Sequence, residues 1–321
     1  MNLKSPSFAA ALALLLAASL SAQAPQSGQG RGGQGAQGPS PAATATADGQ
    51  AIVGDAIRAI DAQRSISAQM RHRISLFGHQ LVGAGVYQQL DEGPQRRLRL
   101  DMKVKVADQQ TSMQQICDGR FLWVRRELGE TTSVGRVDLR RVRDAVGDSN
   151  DASLNAAAQW MLLGGLPQLL GQLERNFQFA EPRAATLENT RVIVLDGRWK
   201  PQALVAVAPH LKDKIAVGRS VDPDILPPQL PAHVRLVVRQ ADRFPIRIEY
   251  LRVGKASDAD APPLESIMTM ELFDVRLNQE IDPIVFQYKP GNAEVADHTE
   301  VYLSGLGVTT RQAAQEEGTR R

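Results

Sequence analysis

The chain has 321 residues, 37 Lys and Arg against 35 Asp and Glu, a single cysteine and only 5% aromatic residues. One cysteine excludes an intramolecular disulfide scaffold, and the near-balance of charge, with basic residues interleaved among acidic ones, argues against a nucleic-acid face. The densest basic cluster, Arg140, Arg141 and Arg143, is flanked by Asp138 and Asp144 and reads as a solvated surface.

At the N-terminus Lys4 precedes an apolar run from Phe8 to Leu20 and then small residues, the pattern of a secretory signal peptide over 1–24. A retained anchor is disfavoured because the run falls short of the ~20 apolar residues a membrane span needs. Cleavage after Ser21, Ala22 or Ala24 stays open. The expected location is the periplasm, with secretion as the alternative. Residues 25–50 are Gly, Gln, Ala, Ser, Thr and Pro without a large apolar side chain, so a disordered linker is expected. The GxGxxG at Gly28, Gly30 and Gly33 lacks the strand and helix that dinucleotide binding requires.

The folded unit is expected over 51–307, with a disordered tail at 308–321. Asp48 is a candidate N-cap for a helix whose Ile52, Val53, Ala56, Ile57 and Ile60 share one face. Strands follow closely. Met70, His72, Ile74 and Leu76 alternate with Arg71, Arg73 and Ser75, and Val82, Ala84, Val86 and Gln88 share a face of the next strand. The clearest signal is 97–106, where Leu98, Leu100, Met102, Val104 and Val106 alternate with Arg97, Arg99, Asp101, Lys103 and Lys105. Such a strand has one dry and one wet face, so something must cover the sheet. A hairpin turns at Asp118-Gly119, and another strand runs from Thr131 to Leu139.

From 140 to 175 the pattern is helical, carrying Trp160, Met161, Leu162, Leu166, Leu169, Leu170 and Leu173, with Gly164, Gly165 and Pro167 as a break. Strands return at 190–199, 233–240, 245–253 and 264–276, with a short one at 284–288 and a helical turn at 299–306. The fold class is therefore mainly β with α: about ten consecutive antiparallel strands with helices at the start, middle and end.

The blocks DGRFLWVRREL at 118–128 and GRVDLRRV at 135–142, with FPIRIEY at 244–250 and ELFDVRLNQEIDPIVFQY at 271–288, resemble the LolA-like lipoprotein-carrier superfamily over about residues 50–306. The resemblance implies an unclosed antiparallel β-barrel of about ten strands wrapped around lid helices, holding lipid or acyl chains in an apolar cavity outside the cytoplasm. The lid-holding arginine of the carriers has no counterpart in 82–90, so none is carried over.

The histidines at 72, 79, 210, 233 and 298 have no metal-ligand spacing, and neither metal nor other cofactor is expected. Cys117 and His72 read as packed core. Gly147-Asp148-Ser149-Asn150 with Asp297-His298 is a faint GDSL-esterase pattern, outweighed by a helix N-cap at Ser149 or Asn150. The expected function is non-enzymatic carriage or binding of lipid, acyl chains or lipoproteins, by a monomer with no nucleic-acid partner. An envelope interaction or sensor module with envelope membrane proteins as partners is the alternative, and the esterase a distant third. Candidate cavity or lid residues are Met102, Val104, Phe121, Trp123, Trp160, Met161, Leu162, Leu166, Trp199, Tyr250, Met268 and Met270.

Overall fold

The computed structural model describes residues 48–76, 79–91, 95–106, 109–146, 164–216, 226, 230–254 and 263–305. The described residues fold as a single sheet of 13 strands, mixed but mostly antiparallel and not closed, with helices on it; β-structure predominates. Helix α1 (Gly49–Asp61) begins where the Asp48 carboxylate accepts from the Gln50 amide, and its buried stripe is Ile52, Val53, Ala56 and Ile60. A meander of six strands follows: β1 (Ser65–Leu76), β2 (His79–Leu90), β3 (Arg97–Val106), β4 (Gln109–Cys117), β5 (Phe121–Leu128) and β6 (Thr131–Asp138). Then come α2 (Leu139–Val146), α3 (Leu166–Asn176), the short β7 (Phe177–Phe179) and β8 (Arg183–Leu187), and β9 (Thr190–Trp199). Helix α4 (Pro201–Val207), a 3-10 turn and α5 (Lys212–Ala216) lead to β10 (His233–Arg239), β11 (Pro245–Val253) and β12 (Leu264–Leu277). The chain ends its described part with β13 (Val295–Asp297) and α6 (Thr299–Gly305).

The strand order is β13-β6-β5-β4-β3-β2-β1-β12-β11-β10-β9-β7, with β8 also on β9. The two meanders are thus joined through β1 and β12, and one pairing, β13 with β6, is parallel. Residues 284–288 were expected as a strand. They form a 3-10 turn, Pro283–Phe286, because Asp282 caps it through the Ile284 amide and Pro283 fits its first position.

The inner face is fixed by register. Leu98, Leu100, Met102 and Val104 are all buried on β3, while Lys103 and Lys105 are exposed on the other side. A one-residue slip would bury the charges, so this strand pins the sheet. On β2 the buried face is Leu81, Gly83, Tyr87 and Gln89, and Val82 and Ala84 face solvent. The valine-rich set on this strand is therefore the outer one. Helices α1 and α3 pack together on the inner face, where Leu166, Leu169, Leu170 and Leu173 join the main core.

Candidate functional site

Helix α3 enters the interior at a fixed point. Gly164 and Gly165 have φ of 133° and 79°, conformations that glycine adopts without a Cβ clash. Pro167 lies in the first turn of the helix they precede. The Leu166 amide donates to the Tyr87 hydroxyl at 3.4 Å, and that hydroxyl donates to Gln89 Oε1 at 2.7 Å. A Cβ at Gly165 would lie 2.6 Å from the Tyr87 hydroxyl oxygen. Gly165→Ala is therefore expected to destabilise the fold by about 1–3 kcal/mol in urea unfolding, from backbone strain and lost docking of α3. Unchanged stability would mean that α3 does not need this seat.

Arg96 holds the same corner from outside. Its guanidinium donates to Asp91 at 2.7 Å, to Asp61 at 3.1 Å and to the Gly164 carbonyl at 3.2 Å. It thus joins the end of α1, the end of β2 and the turn into α3. Arg96 lies in the β2–β3 connection, a position that strand alternation could not reveal.

The inward-facing wall of β1–β6 is lined with methionine. In register, Met113 on β4 faces Met102 on β3, which faces Gly85 on β2, which faces Met70 on β1. Met268 and Met270 on β12 continue the wall, opposite Ile74 and His72. Five of the seven methionines therefore share one face. Gly83 leaves a notch into which the Met102 terminal methyl leans, 2.8 Å from where a Cβ would be. Ile74, Leu81 and Val104 form a small buried cluster of their own, with Met268 packed against it. Met70 and Met113 were not among the expected site residues, although each occupies an apolar position of an alternating strand.

The other candidates divide. Met102, Val104, Met268, Met270 and Tyr250 come together on the inner face; Tyr250 lies opposite Met268, and burial pushes its phenol above the ordinary range. Leu166 is fully buried in the main core, so it serves as an anchor of α3 rather than a free lid side chain. Trp160, Met161 and Leu162 lie outside the described residues, as does Ser149. Phe121 and Trp123 lie on the outer face, because their neighbours Leu122 and Val124 are the buried pair of β5. The Phe121 ring lies between the guanidiniums of Arg120 and Arg136, at 4.9 and 5.2 Å, and Trp123 stacks on Tyr288 at 5.3 Å. Trp199 stacks on Phe177 at 4.3 Å and its indole donates to the Pro231 carbonyl, making it a structural bridge at the sheet edge.

His72 is half-buried on the inner wall between Gly83 and Met270. Its Nε2 is sealed from solvent without a hydrogen-bond partner, and desolvation lowers its pKa to about 4. Cys117 is buried in the core and its thiol is pushed up to about 11, which makes it a poor nucleophile. Asp297 caps α6 by accepting from the Thr299 amide at 2.9 Å, and the His298 ring covers Gly135. Among the described residues no group of three His, Cys, Asp or Glu is arranged to hold a metal.

No protein-family model matches the sequence, and no curated protein matches it. The chain is similar to several solved structures. The lipoprotein LppX of Mycobacterium tuberculosis is 11% identical over 73% of this chain and 97% of that one, with a TM-score of 0.36. A LolA superfamily protein from Nitrosomonas europaea is 14% identical over 75% and 98%, with a TM-score of 0.24. MucB, solved in complex with MucA, is 9% identical over 75% of this chain and 60% of that one, with a TM-score of 0.33. These include the superfamily that the sequence blocks resemble. Identities and TM-scores this low leave the functional reading to the chain's own geometry.

Proposed function

We propose that this chain is an exported, non-enzymatic binding protein for the acyl chains of a lipid or lipoprotein, which it takes between the open sheet and the helices on its inner face. The carrying observation is the methionine wall with its glycine notch. Methionine is unbranched and polarizable and repacks around irregular guests. The Met102 methyl fills the notch at Gly83 now and can swing away for a guest. A buried acyl chain gains about 0.8 kcal/mol per methylene, so such a wall supplies affinity without polar contacts. Export to the periplasm rests on Lys4 and the apolar run 8–20.

The test is displacement of a fluorescent acyl probe, with Gly83→Leu as the companion variant. Leucine fills the notch and pushes Met102 inward, removing contact with about two methylenes. Probe binding is expected to weaken roughly tenfold, with a moderate fall in Tm because the new side chain crowds Met102 and Val104. A wild-type protein that takes up no acyl probe would sink the proposal. That outcome would favour the interaction module, for which the outer-face aromatic and arginine cluster around Phe121 is the specific support.

A further inference from the structure

Arg126 is the one charged side chain among the described inward-facing residues of β1–β6. Its place follows from register: Arg126 on β5 faces Met113 on β4 and Ser133 on β6, on the same side as the buried Val124. It has no ion pair or hydrogen bond with any described residue, and its Nε is sealed from solvent without a partner. Glu127, next in sequence, points to the other face, where it pairs with Arg125 and Ser112. A guanidinium cannot shed its proton to relieve burial, so a half-buried arginine on an apolar wall calls for an anion.

The surroundings indicate how that anion is attached. Arg126 heads the methionine row, which runs without a register break through Met113, Met102 and Gly85 to Met70. From β5 to β1 that row spans about 19 Å at the usual spacing between strands, the length scale of a long acyl chain. Next to Arg126 the wall opens: Leu128 and Ser133 are exposed, whereas Met102 and Met70 are buried. The polar end therefore lies at the open side and the apolar end inside. Tyr302 of α6 lies close enough for Arg126 to oppose the upward shift that burial gives its phenol.

We propose that this row binds an anionic lipid lengthwise, its carboxylate or phosphate held by the Arg126 guanidinium and its chain laid over Met113, Met102 and Met70. The proposal rests on the acyl-binding reading above and narrows it to lipids with an anionic head. It also separates a free lipid from a lipoprotein tail, whose acyl groups carry no such charge at the chain end.

The test compares hexadecanoate, hexadecyl phosphate and hexadecanol in displacement of one fluorescent probe, at mildly alkaline pH, with inorganic phosphate as the head without a tail. Both anions are expected to bind the wild type at least about tenfold more tightly than the alcohol, the range of a charge-assisted hydrogen bond pair. Arg126→Gln should erase that gap and leave hexadecanol binding unchanged, and Arg126→Lys should restore part of it. Equal binding of all three by the wild type overturns the proposal while leaving acyl binding intact. Equal weakening of all three in Arg126→Gln, with a lowered Tm, marks a structural arginine and also overturns it. Inorganic phosphate binding as tightly as hexadecyl phosphate would mean a free-anion site with no lengthwise chain. If hexadecanol and both anions fail to bind, the acyl-binding reading falls first.

Discussion

Arg96→Ala is expected to lower the unfolding free energy by about 2–4 kcal/mol. The substitution removes a guanidinium that serves Asp61, Asp91 and the Gly164 carbonyl together. The Arg96 side chain is only 20% exposed, so its loss leaves two carboxylates and a carbonyl without their shared donor at a partly dry corner. Arg96→Lys should recover only a fraction, since a point charge cannot reproduce a planar fork that serves three acceptors. The loss should be local before it is global. Amides of α3 should exchange faster than those of β1–β4, because Arg96 and Tyr87 are what seat the start of α3. Hydrogen exchange reads this directly. Uniform acceleration across the sheet would mean that the corner supports the whole core and not α3 in particular.

His72 is expected to make stability fall on mild acidification. The free imidazole titrates near 6.5, and burial lowers the folded value to about 4. Above 6.5 both states are neutral and this group contributes no pH dependence. Between about 6.5 and 4 the unfolded chain binds a proton that the native ring refuses, so stability declines as pH falls. Below about 4 the native ring is charged as well and the slope ends. From pH 7.5 to 5.0 the expected loss from this residue is about 2 kcal/mol. His72→Phe should remove that difference while costing little at pH 7.5, since the Nε2 it deletes has no partner to lose. Urea unfolding at the two pH values measures it. A variant that keeps the wild-type decline would assign the effect elsewhere.

The fold was legible where alternation carries charge. Residues 97–106 could be read in register because each outward position from Arg97 to Lys105 is charged and each inward one is apolar. On the neighbouring strand β2 the shared face of Val82, Ala84, Val86 and Gln88 was legible but not which way it points, because Gly83, Gly85, Tyr87 and Gln89 make the inner face look polar while Val82 and Val86 sit outside. Glycine there serves a neighbour's bulk, Met102 over Gly83, and a single strand does not reveal its neighbour. Phe121 and Trp123 alternate as expected, yet the face was not decidable from ring size. The smaller Leu122 and Val124 go inside and the rings lie against Arg120, Arg136 and Tyr288. Strands β7, β8 and β13 are three to five residues long, below the length at which a period of two can be recognised. Met70 and Met113 were visible as apolar positions, but their alignment with Met102 exists only across strand pairings.

Those short strands have a further consequence. A sheet that never meets itself has two borders, and each is a row of unpaired amides and carbonyls that could recruit another chain. One border here is β13, three residues laid parallel on Val134–Arg136. At the other, β7 and β8 share the flank of β9 end to end, and every residue of β8 from Arg183 to Thr186 is exposed. Neither border offers a long, flat, apolar template for cross-β growth. The molecule can therefore leave its sheet unclosed without inviting neighbours to extend it into a fibril.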